Sequence, residues 1–416
     1  MKEAIVIGGG AAGMMFAARA SERGVKVTLI EKNEKLGKKV YITGKGRCNF
    51  TNVCDPEEFL NHVLSNRRFL YSAIYSFSPE DCISQFEKWG MQTKIERGRR
   101  AFPASDHSAD VIDALKRAMK RGKVHILLNT EATGLVCENG AAAGVKIRDG
   151  QGERILSSDF IVVACGGLSY PSTGSTGDGF RFAAMCGHSL IPTRPSLVPV
   201  VCREEYIREM QGLSLKNVEL HAAKGKKEIF SDFGELMFTH FGITGPLVLS
   251  LSARIGSVIG KETLECWIDL KPALSLEMLD GRLIRLFSEN PNKKLRNLLG
   301  ELFPSKMIPV IPIVSGLDAE KCARDMTKEE RQRLISAAKH FPVTMTALRG
   351  YNEAVVTSGG VSTKEVHPGT MESKLISGLY FIGEVLDLDA YTGGYNLQIA
   401  WSTACLCAEA AAVRRR

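Results

Sequence analysis

Apolar positions are organised differently at the two ends of the chain than in its middle. Ala4–Ile7 is a short unbroken apolar run that stops at Gly8, which predicts a strand buried on both faces. Ala11–Arg23 has helical composition with small residues on one face, and Val25–Ile30 repeats the buried-strand pattern up to Glu31. Phe59–Gly90 predicts mainly helix. His107–Gly122 spaces Val111, Ile112, Leu115 and Met119 as one face of an amphipathic helix. Val124–Leu128, Ala132–Cys137 and Ala143–Ile147 predict short strands, and Phe160–Ala164 another buried one. The end returns to this texture, with an apolar strand at Leu379–Ile382 and a helix over Leu397–Ala411.

The middle reads otherwise. Pro192, Pro195 and Pro199 mark a linker. Val198–Phe241 and Cys266–Leu270 predict strands with turns, and Leu274–His340 is polar and helical. The expected organisation is one α/β domain over 1–190 and 344–416, interrupted by an inserted region at 191–343. That insert is β-rich over about 191–272 and helical over about 273–340, and no internal repeat is evident.

Composition adds little to this picture. The chain has 416 residues, 44% hydrophobic and 24% charged, ordinary for a globular protein. No apolar run approaches the ~18–20 residues of a membrane helix. The first apolar run breaks at Gly8-Gly9-Gly10, unlike a secretory signal, so a cytoplasmic protein is expected. Eleven cysteines include the close pair Cys405 and Cys407 but no CxxC and no metal spacing, which points to reduced thiols and no metal. The formal charge is +8, with basic clusters at Lys32–Lys45, Lys94–Arg100, Lys224–Lys227 and Arg414–Arg416. That is a mildly basic solvated surface, compatible with anionic ligands or nucleic acid.

The chemistry begins at the first strand. Gly8, Gly10 and Gly13 form G-x-G-x-x-G between a strand and a helix. Gly8 allows the tight turn, Gly10 lets backbone approach a pyrophosphate, and Gly13 lets helix and strand pack closely. The helix N-terminus offers free N–H groups to phosphate. Glu31, at the end of the second strand, is placed for ribose hydroxyls, which favours FAD or NAD over NADP. A simple dehydrogenase would continue with strand–helix repeats. This chain instead enters "YITGKGRCNFTN" (Tyr41–Asn52). There Gly44 and Gly46 permit positive φ, Lys45 and Arg47 suit phosphates, and Asn49 and Asn52 can donate and accept at a flavin edge. Cys48 reads as a small residue against the cofactor, with a catalytic thiol as the lesser alternative. Cys165-Gly166-Gly167 places small residues at the end of another strand. Gly383-Glu384 sets a carboxylate near ribityl hydroxyls, and Gly393-Gly394-Tyr395-Asn396 opens a helix whose N-terminus suits an anionic flavin ring.

With both ends read, the chain resembles the YhiN/BaiN-like FAD-dependent oxidoreductases, also called aminoacetone-oxidase-like flavoproteins. The matching stretches are "VIGGGAAGM", "EKNEKLGKKVYITGKGRCNFTN", "ACGGLSYPSTGSTGDG", "FTHFGITGPLVL" and "GLYFIGEVLDLDAYTGGYNLQIAWS". They run in order over essentially the whole length. The resemblance implies a glutathione-reductase-like, Rossmann-type FAD-binding domain interrupted by a β-rich subdomain with a small helical one. It also implies cofactor contacts from Ala12, Lys32, Lys38, Thr43, Ala132 and Leu397. "CGGLSYPSTGSTGDGFRFA" and "GGYNL" are similar to motifs of fumarate reductase and ketosteroid dehydrogenase flavoproteins, which move hydride between flavin and a C–C bond conjugated to a carbonyl. No histidine motif of covalent flavin attachment is present, so FAD is expected to be noncovalent.

The family is linked to reducing the Δ4 and Δ6 double bonds of 3-oxo bile acids, to reducing a ribosomal RNA uridine, and to amine oxidation. A small enone held between the FAD domain and the insert is the leading expectation. Ribosomal RNA gripped by Lys224, Lys226 and Lys227 is the alternative, and a non-enzymatic flavoprotein is a third reading. His240, in "FTHFGITGP", is the first candidate for proton donor or carbonyl polariser, with a structural histidine as the plain reading. Tyr391 is a second acid and Arg47 a third polariser. No second nucleotide fingerprint is present, so NAD(P)H, implied by the family, would bind transiently as electron donor.

Overall fold

The structure, a computed structural model, describes residues 2–261 and 264–413; the basic cluster Arg414–Arg416 lies outside the described residues. The chain divides after Ser196 and again after Gly350. One unit is therefore built from both ends of the chain and a second from the middle, each around its own apolar core.

The first unit is centred on a five-stranded parallel sheet. Its order is Leu379–Phe381, Phe160–Val163, Glu3–Ile7, Lys26–Ile30 and His125–Leu127. The first strand is central, with Val6 opposite Val162 on one side and Leu29 on the other, all fully or almost fully buried. A parallel strand covered on both faces has no water-facing side to fill, which is why these runs are continuously apolar. The helix Ala11–Glu22 buries Ala12, Ala17, Ala18 and Ala20, and these small side chains let the closing helix Tyr395–Val413 lie against it. That closing helix is buried over most of its circumference, so its apolar residues show no single stripe.

Smaller sheets flank this core. Glu131–Glu138, Ala141–Asp149 and Gly152–Ser157 form one antiparallel sheet, and Thr51–Asn52, Arg100–Pro103 and Thr93–Glu96 another. The proline-marked stretch read as a linker is in part a strand: Leu190–Ser196 pairs antiparallel with Val356–Val361. Prolines are tolerated there because a two-stranded ribbon leaves one edge of each strand unpaired.

The second unit is a seven-stranded antiparallel sheet with helices. The strand order is Phe341–Val343, Glu265–Asp269, Ser214–Lys224, Lys227–Phe238, Gly242–Thr244, Val200–Cys202 and Met345–Leu348. Its two longest helices, Leu276–Glu289 and Lys328–Lys339, start on side-chain caps. Ser275 accepts from the Met278 N–H, and Thr327 and Glu330 form a reciprocal capping box. Among the described residues no helix is long and apolar enough to cross a membrane.

Candidate cofactor and active site

Because all five strands of the first unit's main sheet run the same way, their carboxyl ends meet at one edge. Gly8–Gly10 and Glu31 directly follow two of those strands, and Cys165–Gly167 and Gly383–Glu384 begin one residue beyond two others. The glycines differ in what they do. Gly8 has φ +107°, and an added Cβ would lie 2.5 Å from the Ala164 carbonyl oxygen. A Cβ on Gly13 would meet the Gly8 carbonyl oxygen at 1.9 Å, so the helix could not seat on the strand. At Gly10 an added Cβ meets nothing within 4 Å. Open space beside the N-cap of a helix with no side-chain cap is the cradle a pyrophosphate requires.

Glu31 is buried and holds the glycine turn in place. One carboxylate oxygen accepts from the Gly9 N–H at 2.7 Å, and the other from the Asn33 backbone N–H at 2.8 Å and side-chain amide at 2.7 Å. Three of its roughly four acceptor positions are used, leaving capacity for a ribose hydroxyl. Beyond it lies an open polar cavity of about 540 Å³, bordered by Lys32, Asn33, Asn129, Glu131, Gly174 and Thr176. Lys32 pairs with Asp178 at 2.6 Å. Burial pushes the Asp178 carboxyl up, but the hydrogen bond and charge of Lys32 outweigh it and hold it below the usual range. Ala132 is buried in the strand that starts at Glu131.

The Tyr41–Asn52 stretch divides into two halves. The first is a tight turn: Gly44 and Lys45 are both left-handed, Gly46 has φ +87°, and the Thr43 hydroxyl donates back to the Lys39 carbonyl. The second half is fastened to the closing helix. Trp401 donates to the Phe50 carbonyl, the Thr51 hydroxyl donates to Gln398, and Asn52 donates to the Gly393 carbonyl. Gly394, at φ +98°, lies so close to Thr51 that a Cβ would sit 2.5 Å from its carbonyl. Asn396 brackets the preceding loop, accepting from Ala390 N–H and donating to the Ala390 and Tyr391 carbonyls. Tyr395 is buried and Leu397 half-buried beside it. Asn49 Oδ1 is buried without a partner, an acceptor awaiting a donor.

Neither cofactor-side thiol, Cys48 or Cys165, is poised as a nucleophile. Cys48 is fully buried in a left-handed conformation, and Cys165 is half-buried at its strand end. Burial pushes each up to about 12, so both stay protonated near neutral pH.

The charged candidates are largely occupied. Arg47 donates to Asp106 at 2.9 Å and to Glu96 at 3.3 Å, and stacks over Phe102 at 4.4 Å. Lys38 lies 3.3 Å from Asn33 and from Glu34. Its neighbour Lys39 instead reaches Glu384 at 2.7 Å, and Glu384 also accepts from the Thr357 N–H at 2.9 Å. Gly166 is adjacent, with its Cβ position 3.9 Å from Glu384, while a Cβ on Gly167 would meet Thr357 Oγ1 at 2.4 Å. Lys39 and Thr357 carried no motif signal of their own; helix phase and sheet register bring them to Glu384.

The acid candidates fall in different units. Tyr391 is half-buried in the first unit, just before the closing helix. Its ring meets His62 edge-on at 6.4 Å, and His62 stacks flat on Tyr395 at 4.3 Å. His62 Nδ1 is 2.9 Å from the Glu58 carbonyl, which can only accept, so Nδ1 is the donor. His62 is a functional candidate that sequence reading missed, because a histidine in a helical stretch is unremarkable until the fold sets it beside Tyr391 and Tyr395. His240 is exposed in the second unit, at the turn between Lys227–Phe238 and Gly242–Thr244, edge-on to Phe241 at 5.0 Å. Among the described residues no cluster of potential ligands could hold a metal ion.

These features suit a dinucleotide with a flavin: an open glycine cradle, a buried carboxylate with spare acceptor capacity, an unpartnered amide oxygen and a second glycine-opened helix. A family model described as HI0933-like protein Rossmann domain matches residues 2–410. The chain is 33% identical over 422 residues to a 3-dehydro-bile acid delta(4,6)-reductase of Clostridium scindens, covering 98% of each chain. It is also 33% identical over 410 residues to a ribosomal RNA dihydrouridine synthase of Haemophilus influenzae, covering 98% of this chain and 97% of that one. Among solved structures, 3-ketosteroid-delta4-(5alpha)-dehydrogenase from Rhodococcus jostii RHA1 superposes with a TM-score of 0.57 at 14% identity, over 99% of this chain and 97% of that one. The last similarity is one of fold.

Proposed function

Since the chain belongs to the HI0933-like family of FAD-binding Rossmann oxidoreductases, we propose that it reduces a C=C bond conjugated to a carbonyl. The substrate we propose is a small hydrophobic enone such as a 3-oxo-Δ4 or Δ6 steroid or bile acid. The observation that carries this reading is full-length similarity to the bile-acid delta(4,6)-reductase. FAD, when bound, supplies hydride chemistry to the β-carbon, with NAD(P)H as the proposed source of electrons. The chain's residues then have three tasks. Gly8–Gly13, Glu31 and the first turn of the closing helix bind and orient the cofactor. His240 or Tyr391 delivers a proton to the α-carbon, and a cation or hydrogen-bond donor polarises the carbonyl. Arg47 can serve as polariser only by giving up part of its pairing with Asp106 and Glu96.

A second reading, reduction of a ribosomal RNA uridine, is favoured by the dihydrouridine synthase relatives. It is the same hydride-plus-proton addition to a different substrate. One experiment separates the readings. The yellow protein is reduced anaerobically and mixed with a 3-oxo-Δ4 steroid, with ribosomal RNA, or with oxygen, while the flavin's visible absorbance is followed. Rapid reoxidation by the steroid supports the first reading, and reoxidation by RNA alone replaces it with the second. Rapid reoxidation by oxygen alone brings forward an amine oxidase. In the productive arm, His240→Ala and Tyr391→Phe are expected to slow reoxidation about 10²–10⁴-fold for whichever residue donates the proton. A variant that leaves the single-turnover rate unchanged removes its residue from the mechanism.

A further inference from the structure

The first unit contains a thiol pair that the cofactor site does not use. Of the 11 cysteines, Cys137 is the one that is exposed. It sits near the end of the strand Glu131–Glu138, where the pairing with Ala141–Asp149 shifts register between Val136 and Cys137. Such an irregularity re-aims the side chain that follows it. Cys186 caps the C-terminus of the helix Asp178–Met185 and is half-buried. The two sulfurs are 3.8 Å apart.

The neighbourhood holds them there. The helix lies along the strand: Arg181 Nη1 donates to the Thr133 carbonyl at 2.7 Å, and Met185 Cε approaches the Cβ position of Gly134 at 3.8 Å. Cys137 and Cys186 continue that row of contacts. Both cysteines end elements that meet the polar cavity at their other ends, the strand through Glu131 and the helix beside Thr176.

We propose that Cys137 and Cys186 are a site of reversible oxidative modification, closing to a disulfide when hydrogen peroxide is present. The exposed Cys137 thiol meets the oxidant first. Its sulfur attacks the peroxide O–O bond, is oxidised to a sulfenic acid, and releases water. Cys186 then displaces hydroxide from that sulfur, forms the S–S bond and gives up its proton, so a second water leaves. Two thiols are oxidised by two electrons and one peroxide is reduced. The sulfurs must close from 3.8 Å to the ~2.05 Å of a disulfide, a small movement for a strand end and a helix cap. The bond ties the strand that reaches the cavity through Glu131 to the helix that begins beside Thr176, and is reopened by a dithiol.

The test uses the full-length holoprotein, reduced and then treated with hydrogen peroxide. Titration under denaturing conditions should find two thiols fewer than the 11 of the reduced chain. The intact mass should fall by two hydrogens, and one tryptic species should join the Cys137 and Cys186 peptides. Dithiothreitol should restore all the thiols. Cys137→Ser and Cys186→Ser should each abolish the joined species while keeping full flavin content. A joined species formed between two chains, linkage of other cysteines, or added oxygen on both sulfurs with no joined peptide would each overturn the proposal.

Discussion

Gly10 and Gly13 are three positions apart in one motif, and the structure gives them different physical duties. A Cβ on Gly13 would overlap the Gly8 carbonyl, so Gly13→Ala must push helix from strand. Overpacking of this kind costs about 1–3 kcal/mol or more, and the expected result is a lower melting temperature even without flavin. A Cβ on Gly10 enters open space, and alanine in place of glycine at an N-cap costs under about 1 kcal/mol. Gly10→Ala should therefore fold normally yet purify with little flavin, read from the ratio of visible to ultraviolet absorbance. A fully yellow Gly10→Ala would place the pyrophosphate elsewhere. The spacing of these glycines was legible because backbone geometry dictates it. That Lys39 meets Glu384 was not: adjacent lysines are equivalent in composition, and only helix phase sends Lys39 to that carboxylate.

Elements are held to one another by contacts that periodicity does not announce. His188 follows the helix Asp178–Met185, is buried, and lies 2.7 Å from the Ser373 hydroxyl and 3.4 Å from Glu365. Burial lowers its pKa, and Glu365 only partly opposes this. The unfolded chain, with an ordinary histidine pKa near about 6.5, takes up the proton more readily than the folded one. The stability that neutral His188 contributes is therefore present above that pH and is lost as pH falls below it. Urea midpoints should drop between pH 7.5 and 5.5 (about one unit either side of that value). His188→Gln should be less stable at the higher pH and show a flatter profile across the interval; an equally steep profile would assign the acid sensitivity to other groups. At this scale apolar runs announced elements well, while the strand Leu190–Ser196 hid behind its prolines. Pairing with Val356–Val361, 160 or more positions later, is what makes it a strand.

At the scale of the whole molecule, two cores imply two units that are separable in principle. Ser196 pairs with Val356, so the first unit's chain ends are already close where the second departs. Replacing residues 197–350 by a short glycine–serine linker should leave a folded protein that still binds FAD but has lost enone or RNA reduction. A colourless but folded product would show that cofactor binding needs the second unit. The lysine-rich turn Lys224–Lys227 lies at the exposed end of a long hairpin in that unit. If RNA is the substrate, substituting Lys224, Lys226 and Lys227 by alanine should weaken RNA binding and flatten its salt dependence by about 0.7–0.9 per lost phosphate contact. For a steroid substrate the same variant should leave turnover unchanged.

By itself the amino-acid sequence determined the local features: which runs are strands buried on both faces, where glycine must stand for backbone to turn or approach, and that one α/β texture occupies both ends of the chain. These follow from covalent geometry and from the apolar composition that full burial demands, both written position by position. The tertiary structure alone decided which distant residues meet. The parallel sheet gathers Gly8, Glu31, Cys165 and Gly383 at one edge, and the closing helix draws Phe50, Thr51 and Asn52 to its first turns. It also sets Cys137 beside Cys186, 49 positions apart. Long-range pairing depends on register and packing summed over the whole core, and no local pattern carries that information.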